Sequence, residues 1–447
     1  MESRKFHNAI KKSLLKECVK KCTSTNKCLL DLACGRGGDM HKWSHSGINT
    51  VMAVDSDISA LTIAKERAAS SNLKINIDFV HTDIVSKDFE RIVISRLKTL
   101  FGYNAFFQFD RITLHFALQY LVGEPEELLR LLKFVVERLK PGGYFVGTCP
   151  RKEYIEKLFD GNPEYSSSIL DIRRAEKNHI IFDVNLGEQS YFEKFGSSEE
   201  GLVDINNFKK QCESLGLETT RVQDFADIGT THLSGDQKEF SELYTSWIFH
   251  KHKNTLYFPI KTGVKISDAL IINKEETMIT KPHEAARIHR NILNFFKSEE
   301  CSTKEDGATI VDAMACVGGD SIHFSNYFSN VVCIENNKNT FARLQHNISL
   351  YGITNATLYE GSFINYLEQY SSISSVVYLD PPWFTSNNSN IHLEGCSIWD
   401  IVNAIITKYK YYCIILKLPR CHMIPSTLTD KVVNIHITNK VKLIIIK

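Results

Sequence analysis

Two stretches of sequence decide the fold of this chain: Asp31-Leu32-Ala33-Cys34-Gly35-Arg36-Gly37-Gly38-Asp39 and Asp312-Ala313-Met314-Ala315-Cys316-Val317-Gly318-Gly319-Asp320. Each stretch follows a short apolar run, residues 27–30 in the first case and 308–311 in the second, and such a run predicts a buried parallel strand. The glycines allow the backbone to turn sharply and to approach a ligand closely. The chain therefore carries the same kind of predicted ligand site twice, once in each half.

An acidic residue ends the next apolar strand after each turn, Asp55 in the first half and Glu335 in the second. In Rossmann-type folds a carboxylate at this position accepts hydrogen bonds from a ribose diol. The turns lack the G-x-G-x-x-G pattern that receives a pyrophosphate, which argues against a dinucleotide-dependent oxidoreductase. Because an acid, Asp31 or Asp312, begins each turn and Gly-Gly-Asp ends it, the turns suit the cationic amino acid end of S-adenosyl-L-methionine. The residues therefore predict two S-adenosyl-L-methionine sites.

The composition favours two globular domains without a membrane segment. A chain of 447 residues is longer than a single hydrophobic core usually supports. Because the glycine turn occurs twice, we expect two domains, 1–253 and 254–447. The formal net charge of +1 excludes a dominant polybasic groove, so we expect a nucleic acid to be held at one end or by one base. The 12 cysteines lack metal-ligand spacing, and no apolar run is long enough to span a bilayer. We therefore expect no metal and a reducing compartment, cytoplasmic or nuclear.

The order of the remaining segments predicts the fold class. After the first turn come Val80-His81-Thr82-Asp83, whose acid can reach an adenine amine, and Phe107 to Tyr120, a fourth strand with the edge of the active site. A helix end, a Pro-Gly-Gly turn and a fifth strand follow in Leu139 to Pro150. This order predicts an α/β fold of two tandem Rossmann-like S-adenosyl-L-methionine-dependent methyltransferase domains. Each domain is a mostly parallel seven-stranded sheet with helices on both faces, and its ligands lie at the carboxyl ends of the strands.

Five further motifs of the first half form a pattern of their own: Phe6-His7-Asn8-Ala9-Ile10-Lys11, His115 to Tyr120, Thr148-Cys149-Pro150, Glu200-Gly201-Leu202-Val203-Asp204 and Leu243-Tyr244. With the first glycine turn they make residues 1–253 resemble the mRNA cap guanine-N7 methyltransferases. The resemblance implies a donor site, in which the lysine holds the methionine carboxylate, formed by Lys11, Asp31, Gly35, Asp39, Asp55, Asp83 and His115. It also implies a cap site, with a basic residue near the triphosphate, formed by Asn8, Arg36, Gln119, Tyr120, Pro150, Glu200 and Tyr244.

The chemistry of guanine fits these residue types. Guanine N7 carries a bare lone pair, so methyl transfer to it needs alignment rather than a general base. Glu200 can accept hydrogen bonds from N1 and N2 of guanine, and Tyr120 and Tyr244 can stack on or edge the base, at about 1–3 kcal/mol for a stacked base. Gln119 departs from the family, which usually has a histidine there. An amide can still donate to the guanine oxygen, so we expect altered affinity rather than loss.

The motif Asp380-Pro381-Pro382-Trp383, at the end of a predicted fourth strand, is the most specific chemical signal of the second half. Exocyclic amines of bases delocalise their lone pair into the ring and are poor nucleophiles until that pair is localised. The Asp380 carboxylate and the carbonyls of the proline pair can accept both amine hydrogens, and the tryptophan can hold the base by stacking. We therefore assign catalysis in this domain to Asp380, Pro381, Pro382 and Trp383. A positively charged base, such as N7-methylguanine, would be favoured by a cation–π attraction.

The second half, over about residues 278–425, resembles the trimethylguanosine synthase family, which methylates N2 of N7-methylguanosine caps. The resemblance rests on the second glycine turn, Tyr351-Gly352-Ile353, Asp380 to Trp383 and Leu418-Pro419-Arg420. It implies a cap contact from Arg420 and Trp383 and a donor site formed by Asp312, Gly318, Asp320, Glu335 and Ser362.

Two residues depart from the pattern of that second family. Ser362 stands where an acid normally contacts adenine, and Phe384 replaces a glycine after the tryptophan. We therefore expect weaker adenine selectivity and a different pocket wall. Beyond the resemblance, Val432 to His436 and Leu443 to Ile446 predict two strands that complete the sheet.

The sequence thus predicts a bifunctional cap methyltransferase that methylates N7 of the cap guanine and then N2 of the product. Its partner is the capped 5′ end of an RNA, with or without an N7 methyl group, and the need for other capping-enzyme subunits stays open. Two alternatives remain for the second domain: an adenine-N6 methyltransferase, or a cap-binding module without catalysis. Two cap methyltransferases encoded in one chain suggest a small genome, typical of a parasite or a virus. In a virus, the compartment is the host cytoplasm or the virion.

Overall fold

The computed structural model describes residues 2–20, 27–101, 107–176, 178–184, 198–233, 235–298, 307–370, 376–382, 391–409, 411–437 and 441–447. The chain divides into two compact units, Met1–Lys253 and Asn254–Lys447. Each unit contains one seven-stranded sheet.

The first unit alternates strands and helices along most of its length. Its described helices are α1 (Glu2–Lys20), α2 (Met40–His45), α3 (Ile58–Ser70), α4 (Phe89–Phe101), α5 (Pro125–Arg138), α6 (Lys152–Phe159), α7 (Ile205–Ser214), α8 (Phe225–Gly229) and α9 (Gly235–Glu242). Its described strands are β1 (Cys28–Leu32), β2 (Thr50–Asp55), β3 (Asn76–His81), β4 (Phe109–His115), β5 (Leu139–Pro150), β6 (Glu164–Ser166), β7 (Leu170–Arg174), β8 (His179–Val184), β9 (Ser198–Gly201), β10 (Glu218–Asp224) and β11 (Tyr244–His250).

The main sheet of the first unit has the strand order β10-β11-β5-β4-β1-β2-β3. The five strands from β5 to β3 are parallel, whereas β11 runs antiparallel to both β5 and β10. The chain order reverses between β1 and β4, and ligands of open α/β sheets bind at such a point. A separate four-stranded antiparallel sheet, β6-β7-β8-β9, belongs to the same unit.

Helices cover both faces of this main sheet because its central strands are apolar on both sides. Every residue of β1 is buried, and its side chains alternate between two hydrophobic clusters. Leu30 and Leu32 join the cluster that contains residues of α4, α5 and α7, whereas Leu29 joins residues of α1 and α2. The predicted turn after α5 is also present, since Leu139 pairs with Phe109 and Tyr144 with Arg111, so that residues 140–143 loop out.

The second unit repeats this arrangement. Its described helices are α10 (Asn273–Glu276), α11 (Pro282–Ser298), α12 (Gly319–Phe324), α13 (Lys338–Leu350), α14 (Phe363–Gln369) and α15 (Ile398–Lys408). Its described strands are β12 (Thr309–Asp312), β13 (Asn330–Glu335), β14 (Ala356–Glu360), β15 (Val376–Leu379), β16 (His392–Leu393), β17 (Cys396–Ser397), β18 (Cys413–Pro419), β19 (Val432–Ile437) and β20 (Val441–Ile446).

The sheet of the second unit has the order β14-β13-β12-β15-β18-β20-β19. The strands from β14 to β18 are parallel, and β20 and β19 complete the edge in antiparallel pairing, as predicted for the tail. Two hydrophobic clusters again lie on opposite faces, one with α11, α12 and α13 and one with α14 and α15. The predicted α/β fold, with a mostly parallel seven-stranded sheet in each of two units, is therefore confirmed. Among the helices of the described ranges, none combines the length and the apolar character that a bilayer span requires.

Candidate functional site

In the first unit, a buried acid begins the glycine turn. Asp31 lies near the end of β1 with 3% of its surface exposed, and the Thr113 hydroxyl on β4 donates a hydrogen bond of 2.6 Å to its Oδ1. Burial raises the pKa of Asp31, and the neighbouring Asp39 carboxylate raises it further. A cation bound beside Asp31 would offset both effects, which suits an acid that faces an ammonium or sulfonium group.

The acid that ends this turn is held by two lysines. Lys11 Nζ on α1 lies 2.9 Å from Asp39 Oδ2, and Lys42 Nζ on α2 lies 2.6 Å from Oδ1. Burial opposes the ionisation of Asp39, but the two ammonium groups outweigh burial and lower its pKa. The side chain predicted to bind the donor's carboxylate, Lys11, therefore reaches the glycine turn and is only 14% exposed.

The two acids predicted for the ribose and the adenine follow adjacent strands. Asp55 ends β2 and accepts from the Gly35 backbone N–H at 2.6 Å, so the ribose acid also fixes the glycine turn. The Thr82 N–H donates to the backbone oxygen of Asp55 at 3.0 Å, which places Asp83 directly beside it. Asp83 is exposed, and its Oδ1 accepts from the Val85 N–H at 3.0 Å.

An aromatic cluster lies between the donor residues and the predicted cap residues. Phe116 stacks on His7 at 5.6 Å and meets Tyr244 edge-on at 5.2 Å, and its φ of +55° is rare for a bulky residue. Tyr244, a predicted cap residue, is 2% exposed, so its ring lies inside this cluster. It pairs in register with Pro150, the last residue of β5.

The neighbouring His115 is a neutral residue. Burial lowers its pKa to about 3, although the Asp39 carboxylate acts in the opposite direction. Its Nδ1 lies 3.3 Å from the hydroxyl of Thr148 on β5. Asn8 is half-buried on α1, one turn before Lys11, and Arg36 is half-buried in the glycine turn, where its backbone oxygen accepts from Arg67 at 2.7 Å.

Three predicted cap residues meet around one buried carboxylate. Tyr120 is 51% exposed and donates its hydroxyl to Glu200 Oε1 at 3.0 Å, while Ser198 donates to the same oxygen at 3.0 Å. Glu200 is 2% exposed, and burial raises its pKa, an effect that these hydrogen bonds partly offset. Gln119 is also 2% exposed, and its Oε1 has no hydrogen-bond partner within the described part of the chain.

Gly201 allows this close arrangement. A Cβ at residue 201 would lie 2.5 Å from Val122 and 3.0 Å from the Gln119 backbone oxygen, so a larger residue would push β9 away. Because Glu200 precedes it on β9, Gly201 brings the carboxylate next to Tyr120. An acceptor carboxylate, an unpaired buried amide oxygen and an exposed aromatic ring form a set that suits the hydrogen-bonding edge and the face of a purine.

In the second unit, the glycine turn is built in the same way. Asp312 ends β12, is 1% exposed and accepts from the Ser321 hydroxyl at 2.5 Å. Burial first, and then the carboxylates of Asp320 and Asp380, raise the pKa of Asp312 to about 8. Gly318 caps the N-terminus of α12 with a φ of +99°.

Asp320, the acid that ends the second turn, is 8% exposed and differs from Asp39 in its partners. It accepts hydrogen bonds from the Thr280 hydroxyl and, at 3.3 Å, from the Tyr378 hydroxyl, both at Oδ2. Its buried Oδ1 has no hydrogen-bond partner among the described residues. Thr280 approaches because Gly319 has no side chain: a Cβ at residue 319 would lie 2.5 Å from Ile279 and 3.2 Å from the Thr280 backbone oxygen.

A buried lysine holds the acid of the Asp-Pro-Pro motif. Asp380 follows β15, and Lys417 Nζ on β18 lies 2.6 Å from Asp380 Oδ2 and donates to the Thr280 hydroxyl at 2.7 Å. Lys417 is 5% exposed. Burial by itself would lower the pKa of Lys417, but attraction to Asp380 and Asp320 outweighs it, so the pKa is raised and the side chain stays charged. Asp380, Lys417, Thr280 and Asp320 thus form one polar chain.

This polar chain lies on a cavity of about 970 Å³ within the second unit. Predicted donor residues (Asp312, Asp320 and Glu335) and predicted substrate or catalytic residues line the same cavity, the latter being Asp380, Pro381, Pro382 and Arg420. Its volume lies at the upper end of the range of small-molecule sites, about 300–1,000 Å³. The predicted catalytic Trp383, and Phe384 beside it, lie outside the described residues.

Glu335 and Ser362 occupy the positions that Asp55 and Asp83 occupy in the first unit. Glu335 ends β13, and burial raises its pKa. The Gly361 N–H donates to the Glu335 backbone oxygen at 3.0 Å, as Thr82 does to Asp55. Ser362 caps α14 by accepting from two backbone N–H groups, and its hydroxyl donates to the carboxylate of Glu394, a residue of the turn between β16 and β17.

Sequence reasoning did not find Lys417, Thr280 or Glu394. A signal existed for Lys417, since a lysine inside the apolar strand Cys413–Pro419 must be paired when it is buried. Thr280 and Glu394 lack such a signal, because they act through contacts with residues far away in the chain.

The residues present fit S-adenosyl-L-methionine. In the second unit the cavity offers an unpartnered carboxylate oxygen on Asp320, a buried acid that an adjacent cation would ionise in Asp312, and the strand-end acid Glu335. These acceptors match an ammonium group, a sulfonium group and a ribose diol. The first unit has the corresponding acids Asp31 and Asp55.

Comparisons with known protein families match both units. Residues 1–256 match the family described as the mRNA (guanine-N(7))-methyltransferase domain. Residues 307–440 match the family described as RNA cap guanine-N2 methyltransferase.

Relatives that share one name each match about half of the chain. The mRNA cap guanine-N(7) methyltransferase of Schizosaccharomyces pombe is 25% identical over 281 residues, which cover 56% of this chain and 76% of that protein. The protein of the same name from Saccharomyces cerevisiae is 27% identical over 288 residues, and the match covers 56% of this chain and 64% of that protein. The Caenorhabditis elegans protein of the same name is 28% identical over 242 residues, and the match covers 50% of this chain and 60% of that protein. The chain thus spans less than two thirds of the last two relatives.

Solved structures of methyltransferases align with about half of the chain. An S-adenosylmethionine-dependent methyltransferase from Clostridium acetobutylicum covers 56% of this chain and 93% of its own, with 20% identity and a TM-score of 0.37. The glycopeptide N-methyltransferase MtfA complexed with S-adenosyl-L-methionine aligns over 54% of this chain and 93% of its own, with 15% identity and a TM-score of 0.34.

Proposed function

The chain belongs to the mRNA (guanine-N(7))-methyltransferase family, and from this premise we propose that it methylates RNA caps twice. The first unit transfers a methyl group to N7 of the cap guanine, and the second transfers a methyl group to N2 of the N7-methylated product. When bound, S-adenosyl-L-methionine supplies an electrophilic methyl group on a positively charged sulfur to both reactions.

In the first unit, the side chains bind and align the guanine and accept no proton. Glu200 accepts hydrogen bonds from N1 and N2 of guanine, Gln119 offers its amide to the base edge, and Tyr120 covers the exposed face. Burial deprives the Glu200 carboxylate of hydrogen bonds from water. A base that donates two hydrogen bonds, as guanine does from N1 and N2, replaces them and is therefore favoured. Binding of guanine therefore also stabilises the ionised form of Glu200.

In the second unit, Asp380 accepts a proton, a step that the reaction of the first unit does not need. The N2 amine carries two hydrogens, and one must leave as the new nitrogen–carbon bond forms. Asp380 accepts a hydrogen bond from the amine, which localises the nitrogen lone pair, and takes the released proton as the methyl group is transferred. Lys417, 2.6 Å from Asp380, pairs with this carboxylate and orients it before the reaction.

The observation that carries this proposal is the shared cavity of the second unit, in which Asp380 and the donor acids Asp312, Asp320 and Glu335 line one space. A cap-binding module would need the base pocket alone. The order of the two steps is supported by charge: the N7-methylated base is a cation, and the acids of this cavity favour it over neutral guanine. Linking the two units also raises the concentration of the first product near the second site.

Product analysis by mass spectrometry tests the proposal. A capped oligonucleotide is incubated with S-adenosyl-L-methionine and with the full chain, its Asp31→Asn variant or its Asp380→Asn variant. We expect a cap with methyl groups on N7 and N2 from the full chain, and an N7-methylated cap only from Asp380→Asn. Asp31→Asn should leave an unmethylated cap unchanged but should still methylate N2 of a cap that already carries the N7 methyl group.

The other functions of the second unit give different products. Methylated adenine in the oligonucleotide would identify an adenine-N6 methyltransferase, and an N7-methylated cap without further product would identify a cap-binding module. N2 methylation of an unmethylated cap at the same rate as of an N7-methylated cap would refute the proposed order.

A further inference from the structure

Ser362 of the second unit corresponds to Asp83 of the first, and the carboxylate of Glu394 lies against Ser362. Thr82 and Gly361 each donate a backbone hydrogen bond of 3.0 Å to the strand-end acid of their unit, Asp55 or Glu335. The next residue is Asp83 in the first unit and Ser362 in the second, so the two positions correspond. The second unit thus has a hydroxyl where the first has a carboxylate.

Glu394 brings a carboxylate back to this position from another part of the chain. Its Oε2 accepts from the Ser362 hydroxyl and its Oε1 from the Phe363 N–H at 3.2 Å. Glu394 lines the same cavity as Glu335 and Gly361. An ionised carboxylate has about four acceptor positions, so two hydrogen bonds leave acceptor capacity for a ligand amine.

The backbone of Glu394 is shaped for this placement. Glu394 and Gly395 form the turn between β16 and β17 with φ values of +54° and +86°, as in a two-residue hairpin of type I′. Asn, Asp and Gly are the usual residues in such turns, and a glutamate there is strained. The turn is anchored by the buried side chains of Ile391 and Leu393. Strain that the surrounding structure maintains is a feature of ligand sites.

We propose that Glu394 selects the adenine of the methyl donor in the second unit by accepting a hydrogen bond from its 6-amino group. The side chain replaces the acid that is missing at Ser362, and Ser362 orients it. The weaker adenine selectivity expected from the sequence at Ser362 is then restored from the hairpin. This inference rests on donor binding by the second unit and is independent of which nitrogen receives the methyl group.

Calorimetric binding of two product analogues tests the proposal. The ligands are S-adenosyl-L-homocysteine and S-inosyl-L-homocysteine, in which a 6-oxo group replaces the 6-amino group. The protein is the full chain with Asp55→Ala, which disables the donor site of the first unit and should leave one site per chain. The 6-oxo oxygen would face the carboxylate without a hydrogen to donate, so we expect the adenine ligand to bind about tenfold more tightly.

Glu394→Gln should remove this preference, because a glutamine amide can accept from an amine and donate to an oxygen. Glu360→Gln is the matched control, since Glu360 is exposed at the end of β14 and does not line the cavity. It should keep the preference for adenine. Thermal unfolding of each variant checks that the second unit folds.

Two results would overturn the inference in distinguishable ways. If Glu394→Gln weakens both ligands equally, or leaves the preference near tenfold, Glu394 only caps α14. If the Asp55→Ala protein binds neither ligand, the second unit does not bind the donor, and the proposed second activity falls as well.

Discussion

Both sites contain lysines that pair with acids, but the lysines of the two sites hold different acids. In the first unit Lys11 contacts the turn acid Asp39 directly, at 2.9 Å. In the second unit Lys417 contacts Asp380, the acid of the Asp-Pro-Pro motif, and reaches the turn acid Asp320 only through the Thr280 hydroxyl. The charged contacts of the first site therefore centre on the glycine turn, whereas those of the second extend from the turn to the Asp-Pro-Pro motif.

This difference follows from the nucleophile that each unit is proposed to methylate. A ring nitrogen with a bare lone pair needs a methyl group brought into line, and a donor-centred set of charges is sufficient for that. An exocyclic amine must also lose a proton, so a second charged group has to be kept ionised beside it. On the proposed function, one fold serves two chemistries through a change in which acid a lysine holds.

The largest difference between the two units is expected from a substitution of Asp380. In Asp380→Asn the side chain keeps its size but cannot take the amine proton, so we expect N2 methylation of an N7-methylated cap to fall about 10²–10⁴-fold with N7 methylation unchanged. Product-resolved mass spectrometry measures both rates. Asp430→Asn, an exposed acid that does not line the cavity, is the control. An N2 rate within threefold of the unsubstituted protein would show that Asp380 is not the proton acceptor.

The two lysines should respond differently to pH when each is replaced by methionine. In Lys417→Met, Asp380 loses its ammonium partner at 2.6 Å, so we expect the rate of N2 methylation to fall, and to fall more at low pH than at high pH.

Lys11→Met supplies the contrast, because Lys42 remains 2.6 Å from Asp39. We expect a higher KM for the donor in N7 methylation and no comparable shift of the pH profile. The profiles are measured between pH 6 and pH 9 on the full chain. An equal loss of rate across this pH range in Lys417→Met, or no loss, would contradict the assignment of Lys417 as the ionic partner that prepares Asp380 for the reaction.

Asp312 links the second site to stability. Its pKa is raised to about 8 in the folded protein, against about 4 in an unfolded chain, so the folded state binds more protons between these values. The contribution of Asp312 to the free energy of unfolding therefore falls as pH rises from about 4 to 8. Asp312→Asn, which is neutral at all pH values, should raise the Tm of the second unit at pH 8 by at least about 2–4 °C and change it little at pH 5.

Calorimetric unfolding at pH 5 and pH 8 measures this effect, and donor binding by the second unit should be lost in the same variant. Asp31→Asn is the counterpart in the first unit, where burial also raises the pKa of the acid. A lower Tm of Asp312→Asn at pH 8 than at pH 5, relative to the unsubstituted protein, would contradict the predicted direction.

The smallest effect is expected at the first cap pocket. Tyr120→Phe removes one of two hydroxyl donors to Glu200 Oε1, while Ser198 remains. We expect KM for the unmethylated cap to rise about fivefold, corresponding to about 1 kcal/mol, with kcat and N2 methylation unchanged. Tyr165→Phe is a matched control, because its hydroxyl donates to a glutamate, Glu239, that is not a predicted site residue. Equal effects of both variants would refute a specific role of Tyr120.

Much of the fold was predictable because its signals are local in the sequence. The apolar strand before each glycine turn, the Pro-Gly-Gly turn and the two closing strands, β19 and β20, were each expected from short stretches and are present. The predicted strand-end acids Asp55 and Glu335 lie at the ends of β2 and β13.

The contacts that complete the sites were not predictable in the same way. Lys417 bonds to Thr280 across 137 residues of sequence, and Glu394 bonds to Ser362 across 32. Such pairs depend on strand register and on the geometry of a hairpin, which no periodic pattern records. That Tyr120 and Glu200 belong to one site was expected only through the resemblance to a family, because 80 residues separate them, and their hydrogen bond was not predicted.

The tight fit at Gly319 limits how the second unit can evolve. Any side chain at residue 319 would displace Ile279, and with it the neighbouring Thr280 that joins Lys417 to Asp320. A single substitution there breaks the link between Lys417 and Asp320 without altering a chemically active group. The corresponding glycine of the first turn, Gly38, has no heavy atom of the described residues within 4 Å of such a Cβ, so a methyl group is tolerated there. The two proposed activities therefore differ in how easily one substitution abolishes them.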